Sequence, residues 1–150
     1  MNWLIIRTDH SKEAYVARQI GLLGFEAWVP SEIRAIRPHC ARRVTAKAAV
    51  SIRELPLLPK RIMAAVPQGI HGKLLEIRHM VAVERDAALA PLQIPANQVL
   101  AFRAEIDRLN TATLALASKP TRKEKAVWKD IKEALQDMIE QARERLEVAA

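Results

Sequence analysis

Apolar residues come in short bursts along the first two thirds of the chain, then settle into one long rhythm of three- and four-residue steps. Residues 3–8 form a compact apolar run that reads as a buried strand. Asp9 or Ser11 then serves as a helix cap before Ala14, Val16, Ala17, Ile20 and Leu23 at helical spacing, and Gly24 stops the turn. Residues 25–29 form a second strand that ends at Pro30. Residues 31–55 are a basic excursion in which 44–52 could form one arm of a hairpin. A third strand is expected over 57–66, with Pro59 marking an edge or entry position because proline has no ladder donor. Pro67, Gly69 and Gly72 punctuate a short helix over 73–77, and 81–84 is a fourth strand. After a tight connector at 91–95, residues 96–109 form an amphipathic helix. Val99, Leu100, Phe102, Ile106 and Leu109 lie on its inner side; Arg103, Glu105 and Arg108 face out. The order β-α-β, excursion, β-α-β is an α/β (α+β) plan. It matches the ferredoxin-like split βαβ sandwich, with a basic hairpin inserted after the second strand.

The long rhythm follows a small-residue linker over 111–120. Thr121 and Glu124 fit a T-x-x-E capping box, and Val127, Ile131, Ala134, Leu135, Met138, Ala142 and Leu146 mark one stripe of a helix over 121–150. The organisation is therefore a domain over 1–110, a linker and a terminal helix. One stripe on thirty residues cannot fold alone. Either it covers its own domain, as a latch or extra core, or it pairs with another chain along the 127, 131, 134, 138 seam. Ala134 and Ala142 suit close approach within the chain, and Trp128 could anchor either interface.

Charge divides the chain the same way. The 150 residues carry a net +7 with pI ≈ 10.0, yet 121–150 holds seven Lys/Arg and seven Asp/Glu. All the excess lies in 1–120, and it is densest between Glu32 and Glu54, where six basic residues occur with no acid between those two glutamates. Arg34, Arg37, Arg42, Arg43, Lys47 and Arg53 repel one another unless something anionic lies across them, and a nucleic-acid backbone is the commonest such partner. The bland alternative is a solvated loop. Four such residues on duplex phosphates would give log K a salt slope of roughly −3.6. Lys73, Arg78 and His79 flank the second helix and read either as base contacts or as a solvated face.

The chemistry of catalysis is missing from the pattern. Cys40 is the sole cysteine, so no internal disulfide is expected, and beside His39 it falls short of the roughly four ligands of a zinc site. No phosphate-binding glycine loop, H-E-x-x-H or G-x-S-x-G is present. No cofactor and no enzyme are expected. No leader and no apolar run of roughly 18 residues is seen, so a cytoplasmic, nucleoid-associated protein without a membrane partner is expected. Trp3, Phe25 and Trp28 read as core rather than as stacking platforms, and the aromatic pattern of an RNA-recognition motif is missing.

Several pieces, in order and at this spacing, resemble the NusG N-terminal (NGN) domain family. They are Asn2-Trp3-Leu4-Ile5-Ile6, the helix with Glu13, Val16 and Ile20, and Gly24-Phe25-Glu26-Ala27-Trp28-Val29-Pro30. The basic hairpin, Glu54-Leu55-Pro56-Leu57-Leu58-Pro59 and Ile94-Pro95 before a helix complete the set, over about residues 2–110. The resemblance implies a transcription elongation or antitermination factor. Such a factor sits on the β′ clamp helices of RNA polymerase and holds the clamp over the DNA, while its hairpin reaches upstream nucleic acid or the β subunit. It also implies clamp docking by Arg7, Tyr15, Leu58, Lys60, Arg61 and Met63. Leu4, Ile6 and Ile62 are further apolar candidates, although strand alternation lets only one parity face out and core is the commoner fate of such residues.

The chain departs from the family in three ways. Family members usually have an aromatic, the proline, a glycine and another aromatic where this chain has Leu58, Pro59, Lys60 and Arg61. A cationic docking surface would pair with acidic residues on a divergent clamp helix, or else the clamp contact is weak. No glycine follows Gly72, which makes a C-terminal KOW barrel improbable, and a helix stands in its place. Both features resemble a specialised RfaH-like paralogue lacking a KOW domain. The alternative expectation is a stand-alone ferredoxin-like RNA/DNA-binding module without polymerase contact; a small-ligand regulator on the same sheet comes third.

Overall fold

The structure is a computed structural model that describes residues 2–36, 51–116 and 121–149. Its centre is strand β1 (Trp3–Thr8), in which every residue except Arg7 is buried. Helix α1 (Glu13–Leu22) follows, burying Val16 and Ile20 at the expected spacing. It begins at Lys12 with no side-chain cap, because Ser11 is spent on a left-handed turn at φ 61° instead. Gly24, at φ 92°, takes the chain out of the helix in a conformation that a side chain would resist. Strand β2 (Glu26–Trp28) is short. Strands β3 (Ser31–Ile36) and β4 (Ser51–Pro56) then pair with each other in register from Ser31↔Pro56 to Ile36↔Ser51. They form a separate two-stranded ribbon.

The third sheet strand is shorter than the sequence suggests. Residues 57–60 form a turn that docks on the start of the ribbon, with Leu57 N donating to Pro30 O at 2.7 Å and Arg61 N to Leu58 O at 3.2 Å. Strand β5 (Arg61–Ala65) starts only after it. Leu57 and Leu58 are apolar because they are core, not because they are strand. A 3₁₀ turn (Gln68–Ile70) and helix α2 (His71–Leu74) come next, a few residues earlier than the expected 73–77. Strand β6 (Met80–Val83) follows. The supposed connector contains strand β7 (Gln93–Ile94), which pairs Trp3 with Ile94 and Leu4 with Gln93. Helix α3 (Ala96–Leu116) runs on into the expected linker, whose residues 117–120 lie outside the described residues. The hydroxyls of Thr111 and Thr113 donate to the carbonyls of Asp107 (2.8 Å) and Leu109 (3.1 Å), so two residues that usually favour turns are satisfied inside the helix.

The main sheet has the order β2-β5-β1-β6, every neighbouring pair is antiparallel, and β7 joins the start of β1. Parity divides its two faces. Leu4, Ile6, Ile62 and Ala64 meet Val16 and Ile20 of α1 and Leu74 of α2. Trp3, Ile5, Met63 and Ile94 meet Val99 and Ile106 of α3 on the other side, together with helix α4 (Arg122–Ala149). The α4 stripe packs within its own chain only in part. Leu135, Met138 and Ala142 are core together with Trp128 and Ile139, and Ile131 is half-buried against them. Val127 and Ala134 are exposed, which corrects the expectation of close approach at Ala134. Its start is the expected capping box, with Glu124 N donating to Thr121 Oγ1 at 3.2 Å and Thr121 N to Glu124 Oε2 at 3.3 Å. No helix among the described residues is long and apolar enough to cross a membrane.

Candidate functional site

The β3–β4 ribbon is an arm fixed at its root by one side chain. Asn110 of α3 donates from Nδ2 to the Ser31 carbonyl and accepts from the Ile33 amide, both at 2.9 Å. Its carboxamide thus supplies one donor and one acceptor, as a neighbouring strand would, to two alternate residues of β3. A side chain can do this only if the helix lies alongside the strand, so the long α3 orients the arm. Beyond the root the charges begin. Glu32, buried, clasps Arg34 in a fork, with Oε1 2.7 Å from Nε and Oε2 3.2 Å from Nη2. One of the six basic residues is thus balanced locally. Arg53 stands opposite Arg34 in the ladder and is exposed. Arg37, Arg42, Arg43 and Lys47, with His39 and Cys40, lie outside the described residues.

A second polar group sits where β1 leaves the sheet. His79, at φ 70°, holds its ring against Asp9 (Nδ1–Oδ2 3.1 Å), and Tyr15 meets that ring edge-on at 5.5 Å between centroids. Tyr15 is exposed, and so are Lys73 and Arg78.

The docking surface implied by the family resemblance is largely closed. Leu58 is 2% exposed and Met63 0%, both in the core shared with α4. Parity explains Met63: it pairs with Ile5 on the face that α4 covers. Neither can dock a partner while α4 is in place. Arg61 is corrected too, because it is half-buried against Glu84. That carboxylate, on the edge of the same face, has a side chain only 4% exposed and takes two arginines. Arg61 Nε lies 2.7 Å from Oε1, close but poorly aligned for a hydrogen bond, while Arg143 Nη2 of α4 donates to Oε2 at 2.5 Å. Arg143 also reaches Glu140 at 3.2 Å. A buried carboxylate without a cation would be costly, so the pair of arginines makes Glu84 tolerable and gives α4 a polar fastening beside its apolar one. Only Arg7 and Lys60 of the cationic candidates remain exposed here.

Glu84, Asn110 and Arg143 went unnoticed in the sequence. The readable signal for Glu84 was a lone acid closing an apolar strand. For Arg143 it was a base one position past the apolar stripe. Asn110 gave none, because its partners are backbone groups far along the chain. An open groove of about 800 Å³ runs between α1, the arm's root and α3, with Glu13, Glu54, Asp107, His10 and Arg103 of mixed sign along it. The described surface thus carries a ribbon pinned at its root, with Glu32, Arg34, Arg53 and Glu54 on it, and a rim at the sheet's end where Arg7 and Lys60 are exposed. No protein-family model matches the chain, and a search of the curated proteins returns no match.

Proposed function

We propose that the chain is an NGN-like transcription elongation or antitermination factor. It binds RNA polymerase and the nucleic acid of the elongation complex, without chemistry of its own. The observation that carries this reading is the place of the arm. A two-stranded ribbon bearing Glu32, Arg34, Arg53 and Glu54 leaves between β2 and β5 of an antiparallel β2-β5-β1-β6 sheet, and the sequence between its two strands adds Arg37, Arg42, Arg43 and Lys47. That strand order supports the finer description as a ferredoxin-like split βαβ sandwich, with the two βαβ halves interleaved. The basic excess of residues 1–120 is densest between Glu32 and Glu54, while α4 is neutral. Arg53, Lys73 and Arg78 meet phosphate, and Tyr15 lies on the polymerase side. The test is transcription across an intrinsic terminator with and without the protein, alongside capture of β and β′ subunits. A changed read-through fraction with both subunits captured supports the proposal. Unchanged read-through and pausing would sink it.

One observation favours the second reading, a nucleic-acid-binding module with no polymerase contact. Leu58 and Met63, the apolar docking candidates, are sealed under α4. Tight RNA or DNA binding with no subunit captured would select this reading.

A further inference from the structure

Two arginines face each other at the end of the sheet. Arg7 of β1 and Arg61 of β5 are direct antiparallel partners. Both are odd-numbered positions on the face that carries Ile5 and Met63, so their side chains share one side of the sheet. Like charges placed directly opposite are destabilising. Lys60, next in the chain, adds a third cation. Together with Gln136 of α4 these residues line a polar cleft of about 300 Å³. That is far more than the roughly 30 Å³ of one water. Glu84 answers part of this charge, but it divides itself between Arg61 and Arg143. Among the described residues neither Arg7 nor Lys60 has an ion-pair partner.

Backbone strain marks the same place. Lys60 sits at φ 64°, a region that suits glycine and is uncommon for a lysine. The conformation is held from both sides: Glu13 Oε1 accepts from Lys60 N at 2.9 Å, and Lys60 O accepts from Thr8 N at 2.9 Å. A glycine would relieve the strain, yet it would remove the ammonium from the cleft. Strain kept at a charged site is the pattern expected where the side chain has work to do.

We propose that this cleft is a phosphate-binding pocket. Its ligand is a terminal phosphate, carried either on a free nucleotide or on the end of a nucleic-acid strand. A phosphomonoester brings a charge of about −1.5 to −2 and three acceptor oxygens, which suits the Arg7 guanidinium and the Lys60 ammonium, backed by the edge of Arg61 that Glu84 leaves over. A single carboxylate would be satisfied by one guanidinium alone. The Gln136 amide adds a neutral donor from the α4 side. The pocket goes beyond the elongation-factor reading and does not depend on polymerase.

The test is calorimetric titration of the full chain with inorganic phosphate, adenosine monophosphate and a short oligonucleotide bearing either a 5′-phosphate or a 5′-hydroxyl. Saturable binding of phosphate and the mononucleotide is expected. Arg7→Gln and Lys60→Gly should each weaken it by about tenfold or more, as loss of a charge-assisted hydrogen bond does. Lys60→Gly suits the backbone, so its loss of binding cannot come from misfolding. Arg18→Gln, on α1 across the sheet, should leave binding unchanged. A 5′-phosphorylated strand that binds tighter than the mononucleotide assigns the phosphate to a strand end; equal binding assigns it to the free nucleotide. Wild-type affinity in Arg7→Gln would overturn the pocket. So would acetate competing as well as phosphate, which would make it a carboxylate site for a protein partner. Because no transcription step enters, a negative titration leaves the elongation-factor reading standing, and failure of that reading leaves the pocket standing.

Discussion

The β3–β4 arm and α4 are both additions to the same small sheet, and they are attached by opposite means. The arm is held at its root by a polar clasp, Asn110 against Ser31 and Ile33, and its outer residue Arg53 faces solvent. Helix α4 is held by an apolar stripe in which Leu135 and Ile139 are fully buried, with Arg143 fastening it to Glu84. The charges differ in their arrangement: between Glu32 and Glu54 the sequence carries six bases and no acid, while α4 carries equal numbers of both signs along its length. An element meant to present charge to a partner cannot be buried, so it must be aimed by hydrogen bonds. An element meant to complete a core can use area, which is stronger and indifferent to direction.

The sharpest way to break this contrast is to truncate the stripe. Leu135→Ala should cost about 2–5 kcal/mol of global stability, read from urea unfolding, because it leaves a cavity between α4 and the Trp3–Met63 face. A cost well below that would mean that α4 rests on the sheet without being part of its core. Asn110→Ala comes next, at about 1–3 kcal/mol, because the buried Ser31 carbonyl and the Ile33 amide lose their partner together. Its signature should be local: amide exchange of Ile33 rises while that of Ile5 and Ile6 follows only the global change. Uniform acceleration across the sheet would show that the asparagine serves the whole fold rather than the arm. Thr121→Ala removes half of the α4 capping box and should cost about 1 kcal/mol, confined to the first turn of the helix. Loss of the folded baseline would mean that this end also carries tertiary packing.

Which of these features a reader of the sequence could foresee depends on whether the signal was periodic or paired. Strands β1, β2 and β6 and helices α1 and α4 were legible because apolar spacing repeats within each of them. The capping box at Thr121 and Glu124 was legible because both partners lie within one turn. Residues 57–60 misled because Leu57 and Leu58 extend the apolar run of β5 although they belong to a turn. The end of α3 misled because Thr111 and Thr113 look like linker residues until their hydroxyls find carbonyls one turn back. The arm's basic character was plain, whereas its anchoring was not: Asn110 lies 77 residues from Ile33, and nothing local links them. The site at the sheet's end was half visible. Arg7, Lys60 and Arg61 were picked out, but their cross-strand opposition and the buried Glu84 exist only once β1, β5 and β6 are side by side.

The smallest effect concerns an ion pair that fastens neither appendage. Glu105 and Arg108 sit one turn apart on the solvent side of α3, joined by Arg108 Nη2 to Glu105 Oε1 at 2.6 Å and Nε to Oε2 at 3.2 Å. The hydrogen bonds from Arg108, helped by its charge, hold the Glu105 carboxyl below its ordinary value against a small desolvation effect, and they push Arg108 further up. A carboxyl depressed in the folded state stabilises fully above its unfolded value, and that stabilisation disappears as pH falls through the folded value. The window is therefore acidic. In a carbon-detected NMR titration Arg108→Ala should return Glu105 to its ordinary midpoint. The urea midpoint at neutral pH should not move, because both partners are in water and such pairs contribute little. An unmoved Glu105 titration would mean that the fork is not kept in solution. A moved urea midpoint would mean that α3 needs surface charge to stay helical while it aims the arm, so that the polar means of attachment extends further from Asn110 than its two hydrogen bonds.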